Sequence, residues 1–174
     1  MTRDQKTVAI GAASGVITMI VAIVAIYHLW PVPVGLGTTG DRIGYALKWL
    51  AVAVLPFLAM VIAVGNARFL SEAIDPTLNK ESAAMEINGR VAENTLQQFI
   101  LFAAALLALV PELPPERMRI VPAAVTWFVI ARIAFWIGYR IHPLYRAFGF
   151  SSTLYLTFGL LAWAIWTNVT SAIG

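Results

Sequence analysis

The stretch Arg132–Gly149 reads RIAFWIGYRIHPLYRAFG. It starts inside an apolar run and ends in a short loop ahead of another. Arg132 follows VPAAVTWFVIA and precedes IAFWIG. A guanidinium within a membrane span is costly, and it normally faces a partner or a wet cavity. Arg132, Phe135 and Tyr139 stand at i, i+3 and i+7, so they share one helix face. Arg140 and Arg146 bracket a turn that contains Pro143. Guanidiniums and a phenol therefore gather at one helix end, a set suited to an anionic ligand.

Composition agrees with a membrane reading. Of 174 residues, 60% are hydrophobic and 12% charged, and mean hydropathy is +0.79. Soluble domains carry about 25% charged residues. The chain reads as one all-α integral membrane domain. It has no cysteine, which removes disulfides, thiolate nucleophiles and cysteine metal sites. Its net charge of +3 is spread over loops. No basic run is long enough to suggest a nucleic-acid partner. The two histidines and scattered acids suggest neither a metal site nor a Ser-His-Asp arrangement.

Five apolar runs are long enough to cross a bilayer. The first is Val8 to about Trp30, after the polar residues 1–7. It ends in IYHLWPVPVG with interfacial Tyr27 and Trp30, and lacks the small-residue cleavage site of a signal peptide. A retained anchor is expected. Gly11 and Gly15 form a GxxxG, a weak sign of helix contact. After the turn-rich Pro31–Gly40, the second run is Ile43–Val64, with Pro56 as either a kink or a tolerated proline. Asn66–Arg90 is the longest polar connection, with a short interfacial helix expected over Arg68–Ile74. The third run, about Ile87–Val110, opens with VAENTLQQF. There Arg90, Asn94 and Gln97 lie at i, i+4 and i+7, and Glu93 is near enough to pair with Arg90. Such a polar cluster is either bundle glue or a ligand site. After the Pro-rich turn 111–119 come Ile120–Tyr139 and Ser151 to about Val169.

Lys and Arg counts set the orientation. Arg3, Lys6, Arg68, Lys80, Arg90, Arg140 and Arg146 fall at one side, and Arg42, Lys48, Arg117 and Arg119 at the other. This bias predicts a cytoplasmic N-terminus, in a bacterial inner membrane or, for a eukaryotic chain, an endoplasmic-reticulum-type membrane. The polar start of the third run and the Arg-rich end of the fourth then share one interface.

Two motifs on that shared side resemble the MAPEG family, the membrane-associated proteins in eicosanoid and glutathione metabolism. One is R-x-x-x-N, here Arg90 and Asn94. The other is R-x-x-[YF]-x-x-G-Y with a following arginine, here Arg132, Phe135, Gly138, Tyr139 and Arg146. The resemblance covers about residues 43–170; the NTLQQ and RAFGF segments, with the preceding span, resemble in style the mattrin-like branch. It implies a MAPEG-type four-helix bundle over residues 43–174, with residues 1–42 adding a tail, an extra helix and a linker. It further implies a homotrimer in membrane lipid that binds glutathione between neighbouring subunits. The activity implied is a transferase or peroxidase acting on a lipophilic small molecule.

By position, Arg146 matches the family arginine that activates the thiol. Arg90, Asn94 and Tyr139 match glutathione contacts, and Arg68 is a looser match. With Gln97 and Arg132 they form the candidate glutathione-binding set. The chain departs from the family pattern at Gln97, where a glutamate is usual, and Gln98 follows it. Gln97 offers no carboxylate to the glutathione amino group. Residue-level alternatives stay open. Arg140 and Arg146 also read as positive-inside charges, Arg132 as a partner of Glu93, Tyr139 as an interfacial tyrosine and His142 as a loop residue. The function is either glutathione-dependent chemistry or non-catalytic binding of lipid or another anion.

Overall fold

Lipid offers no hydrogen bonds, so a segment crossing it must satisfy its own backbone, as a helix does. The computed structural model, which describes residues 1–173, folds accordingly. Six α-helices are seen among the described residues: α1 (Arg3–Leu29), α2 (Thr39–Ala53), α3 (Leu55–Phe69), α4 (Ala83–Leu109), α5 (Ile120–Ile141) and α6 (Ala147–Ile173). With their flanking 3-10 turns they make five membrane-spanning segments, α2 and α3 together forming the second. The protein is a multi-pass integral membrane protein.

Caps set the helix starts. Residues 3–7, expected as a polar tail, belong to α1. The Thr2 Oγ1 accepts from the Gln5 N–H, and the Gln5 Oε1 accepts from the Thr2 N–H, a reciprocal pair that fills otherwise orphaned donors. Thr38 and Asp41 do the same for α2. Ser82 caps α4 through the Met85 N–H, so α4 begins at Ala83 rather than Ile87. Arg90 and Asn94 are thereby two to three turns inside a helix. The second span breaks at Val54, and Pro56 lies in the first turn of α3, where its missing N–H costs least.

The long polar connection shrinks to residues 70–82. The interfacial helix expected over Arg68–Ile74 is absent as a unit. Arg68 ends α3, and short 3-10 turns follow at Glu72–Ile74 and Pro76–Leu78. Asp75 caps the second turn, and hydrogen bonds from the Thr77 hydroxyl and N–H hold its carboxyl below the usual range.

α6 is the central helix, packed on α1, α4 and α5, while α3 lies on α4 and α2 on α5. The larger core runs through Phe102, Leu106, Phe128, Leu156 and Leu160. Phe102 and Phe128 stack with centroids 4.5 Å apart. A smaller core of Met60, Val91, Ala92, Phe135 and Tyr139 lies at the other end. Apolar side chains such as Ile17, Ile62, Ile100, Ile137 and Phe158 are exposed outside, as contact with acyl chains requires.

Arg42 ties the end opposite the smaller core. Its Nη2 donates to the Pro111 carbonyl at 3.1 Å and to the Thr39 Oγ1 at 3.0 Å, and its Nη1 to the Gly37 carbonyl at 3.3 Å. Arg42→Ala should lower stability by about 1.5–3 kcal/mol, the range for hydrogen bonds to a charged group. Thermal unfolding in detergent checks this, and an unchanged midpoint would exclude the tie.

Candidate functional site

The smaller core is built around Arg132, which is fully buried. Its Nε donates to the Thr95 Oγ1 at 3.2 Å, and its Nη2 to the same oxygen at 2.7 Å. Nη2 also donates to the Asn94 Oδ1 at 3.0 Å, and Nη1 to the Thr153 Oγ1 at 3.3 Å. The guanidinium carbon lies 4.0 Å from the Phe135 ring centroid, a cation–π geometry. One side chain thus joins α4, α5 and α6. Among the described residues no carboxylate pairs with it. The expected partner, Glu93, is exposed on the opposite side of α4. Thr95, one turn below Val91, points where Glu93 cannot.

Close backbone approach makes this junction possible. A Cβ on Gly149 would stand 2.5 Å from the Ala131 carbonyl oxygen and 2.6 Å from the Phe135 backbone nitrogen. α6 can therefore touch α5, which brings Thr153 to Arg132. A Cβ on Gly138 would stand 2.8 Å from the Tyr145 carbonyl oxygen. The absence of that Cβ lets the 3-10 turn Pro143–Arg146 fold back on α5. Arg146 then reaches Tyr139: its Nη1 donates to the Tyr139 Oη at 3.0 Å. Its guanidinium carbon is 5.1 Å from the ring centroid.

Beside this junction is a cavity of about 470 Å³, lined by Arg90, Asn94, Tyr139 and Arg146 together with Val8, Phe135, Leu144, Ala147, Phe150 and Ser151. Its chemistry is one-sided. Arg132 can only donate, so it orients the Asn94 carbonyl oxygen inward and leaves the amide N–H groups for the cavity. The Tyr139 oxygen accepts from Arg146, so its own proton is available. Arg90 and Arg146 add guanidiniums, and α6 starts at Ala147 on the wall, adding the positive end of its dipole. Among the described residues no carboxylate lines the cavity, although Glu86 is 3.9 Å from Arg90. An acceptor-rich anion with an apolar part matches this lining.

The remaining candidates lie elsewhere. Arg68 forms an ion pair with Glu81 across the 70–82 connection and does not line the cavity. Gln97 shares a helix face with Arg90 but lies about 10 Å further along the helix axis, beyond the cavity and exposed. Gln98 is the buried one, and its Oε1 has no partner among the described residues. Arg90 pairs weakly with Glu86 rather than with Glu93. His142 caps the turn, its Nδ1 accepting from the Leu144 N–H. Sequence reading missed Thr95, Ser151 and Thr153, although Ser151-Ser152-Thr153 is a polar run inside an apolar span. It also missed Val8 and Phe150, whose apolar character carries no such signal. Asn88 escaped notice as well; its Oδ1 accepts from Trp136 Nε1 at 2.9 Å and ties α5 to α4. Among the described residues no group of three or more histidine or acidic side chains could hold a metal ion.

Fold and site together define a multi-pass helical membrane protein with a donor-lined cavity at one end. The MAPEG family profile matches residues 46–166, and the chain belongs to that family. It is 24% identical over 131 residues to Transmembrane protein 79 of Mus musculus, which covers 75% of this chain and 33% of that protein. It is also 24% identical over 128 residues to Transmembrane protein 79 of Bos taurus, covering 74% and 32%. Transmembrane protein 79 is mattrin, a MAPEG-like member. The chain thus spans about a third of the length of these curated relatives. No solved structure matches it.

Thr95 carries the shortest of the Arg132 hydrogen bonds. Thr95→Val keeps its shape and should cost about 1.5–3 kcal/mol. Thr153→Val, which loses the longest bond, should cost less. Thermal unfolding of the two variants checks the order, and equal midpoints would contradict the assignment.

Proposed function

We propose that the cavity binds glutathione, or a similar anionic thiol, and activates it against a lipophilic electrophile arriving from the bilayer. The observation that carries this reading is the Arg146–Tyr139 pair on the cavity wall, 3.0 Å apart and, among the described residues, with no carboxylate lining the same space. A free thiol has a pKa of ~8.5 and is mostly protonated at neutral pH; an adjacent guanidinium favours the thiolate. Arg146 would supply that charge. Tyr139, its oxygen already accepting from Arg146, would donate its proton as a hydrogen bond to the sulfur. Arg90 and the Asn94 amide would take the carboxylates, and Arg132 would hold Asn94 in place.

In the transferase step the thiol proton leaves to solvent and the sulfur forms a C–S bond with an electrophilic carbon. The bond from that carbon to its leaving group breaks. As a peroxidase, the same thiolate would attack a lipid hydroperoxide, and a second thiol would complete its reduction to alcohol and water with formation of a disulfide. Family membership supports a homotrimer, and the exposed apolar surface leaves room for copies as well as lipid. The basic bias of the cavity end supports a cytoplasmic location for it, with the N-terminus, in a bacterial inner membrane or an endoplasmic-reticulum-type membrane.

One observation favours a second reading, non-catalytic binding of an anionic lipid or other anion. Among the described residues the ammonium of glutathione finds no carboxylate on the cavity wall, and Gln97 neither carries one nor reaches it. Calorimetry on the detergent-purified protein separates the two. The first reading expects saturable glutathione binding and a thiolate absorbance band. Arg146→Ala should weaken binding about 10–100-fold, the equivalent of one charge-assisted hydrogen bond. The bound thiol should titrate below ~8.5 in the wild type. Its pKa should rise in Arg146→Ala and, less so, in Tyr139→Phe, because each removes a group that stabilises the charged form. No binding at millimolar thiol, with tight binding of an anionic amphiphile, would move the assignment to the second reading.

A further inference from the structure

α1 lies outside the region that the family profile matches, yet it reaches the cavity. It packs along α6 with two glycines against the start of that helix. A Cβ on Gly11 would stand 3.3 Å from the Ala147 Cβ, and one on Gly15 would stand 2.3 Å from the Phe148 carbonyl oxygen. The second distance permits no side chain, since the blocking atom is backbone. Gly15 therefore fixes how closely, and at what height, α1 meets α6.

Val8, Gly11 and Gly15 stand at i, i+3 and i+7, on one face of α1. The register set by the glycines puts Val8 on the cavity wall. Ala147 links the two features, touching the Gly11 position on one side and lining the cavity on the other. A slip of one turn would move α1 by about 5.4 Å and replace Val8 by Asp4 or Ala12. The first would bring a carboxylate to a donor-rich lining, and the second would remove bulk.

The polar donors come from α4, α5, the following turn and the start of α6. The apolar part of the lining is Val8, Leu144, Ala147 and Phe150, with Phe135 beside the junction. α1 contributes apolar surface alone. We propose that α1 is a wall of the binding cavity, seated by Gly11 and Gly15, and that Val8 limits the size of the apolar group a bound anion carries. The choice of glutathione analogues as probes rests on the reading above; the placement of α1 does not.

The chain has no cysteine, so a single engineered thiol reports on the cavity alone. Ser151 lines the cavity and is buried. In the full chain carrying Ser151→Cys, the maleimide labelling rate should fall severalfold on adding Val8→Trp and rise on adding Val8→Ala. It should rise further with Gly15→Leu, which forces α1 off α6. Val8 is 39% exposed, so its variants keep the fold even where Gly15→Leu does not. In parallel, S-alkyl glutathiones of increasing chain length are titrated into wild type, Val8→Ala and Val8→Trp. Val8→Trp should weaken all of them about tenfold or more, and Val8→Ala should lengthen the longest chain accepted. A labelling rate of the Ser151→Cys thiol indifferent to residue 8, or a chain-length limit that residue 8 leaves unchanged, overturns the proposal. A wild type that binds none of these probes, while labelling of the engineered thiol still follows residue 8, overturns the glutathione reading and leaves α1 as the wall.

Discussion

The buried guanidinium of Arg132 is the interaction on which the site end of the bundle depends. Three helices contribute to its environment, and all its hydrogen-bond partners are neutral. In a low-dielectric interior an unpaired charge is expensive unless every polar contact is made. Here Thr95, Asn94, Thr153 and the Phe135 face share that task. The arrangement holds α4, α5 and α6 in one relative position. It also leaves a positive charge behind the cavity wall with which, among the described residues, no carboxylate pairs.

That charge gives the cavity its character. Asn94 must turn its oxygen toward Arg132, so its amide hydrogens remain for a ligand. Tyr139 receives a hydrogen bond from Arg146, so its proton remains as well. Asn94 and Tyr139 face the cavity as donors because an arginine already donates to the oxygen of each. The donor-rich lining is thus a property of the network.

Glycine gives these groups their proximity. Without a Cβ at Gly138 the turn after α5 folds back and delivers Arg146 to Tyr139. Without one at Gly149 the Thr153 hydroxyl reaches Arg132. The same device at Gly15 brings an additional helix onto α6. The glycine in the R-x-x-[YF]-x-x-G-Y motif is therefore a packing requirement that positions the arginine after it. Gln97, which stands where the family pattern has a glutamate, lies outside the cavity lining.

Much of this was legible in the chain itself. Apolar runs longer than a bilayer is thick admit only helices, so the all-α membrane class and the five spans followed from composition and length. Helical periodicity placed Arg132, Phe135 and Tyr139 on one face, and alternating span direction put Arg90 and Asn94 at the same end as Arg146. Other features were decided only in three dimensions. Arg132 chose Thr95 over Glu93 because the burial of one helix face, not the nearest opposite charge in sequence, determines which side chains meet. Arg68 was taken by Glu81 across a connection whose path no periodicity describes. Gln97 lay too far along its helix, since sharing a face does not fix depth relative to a cavity. Val8 entered the site through backbone contact at Gly15, a proximity between the first helix and the last that local sequence does not encode.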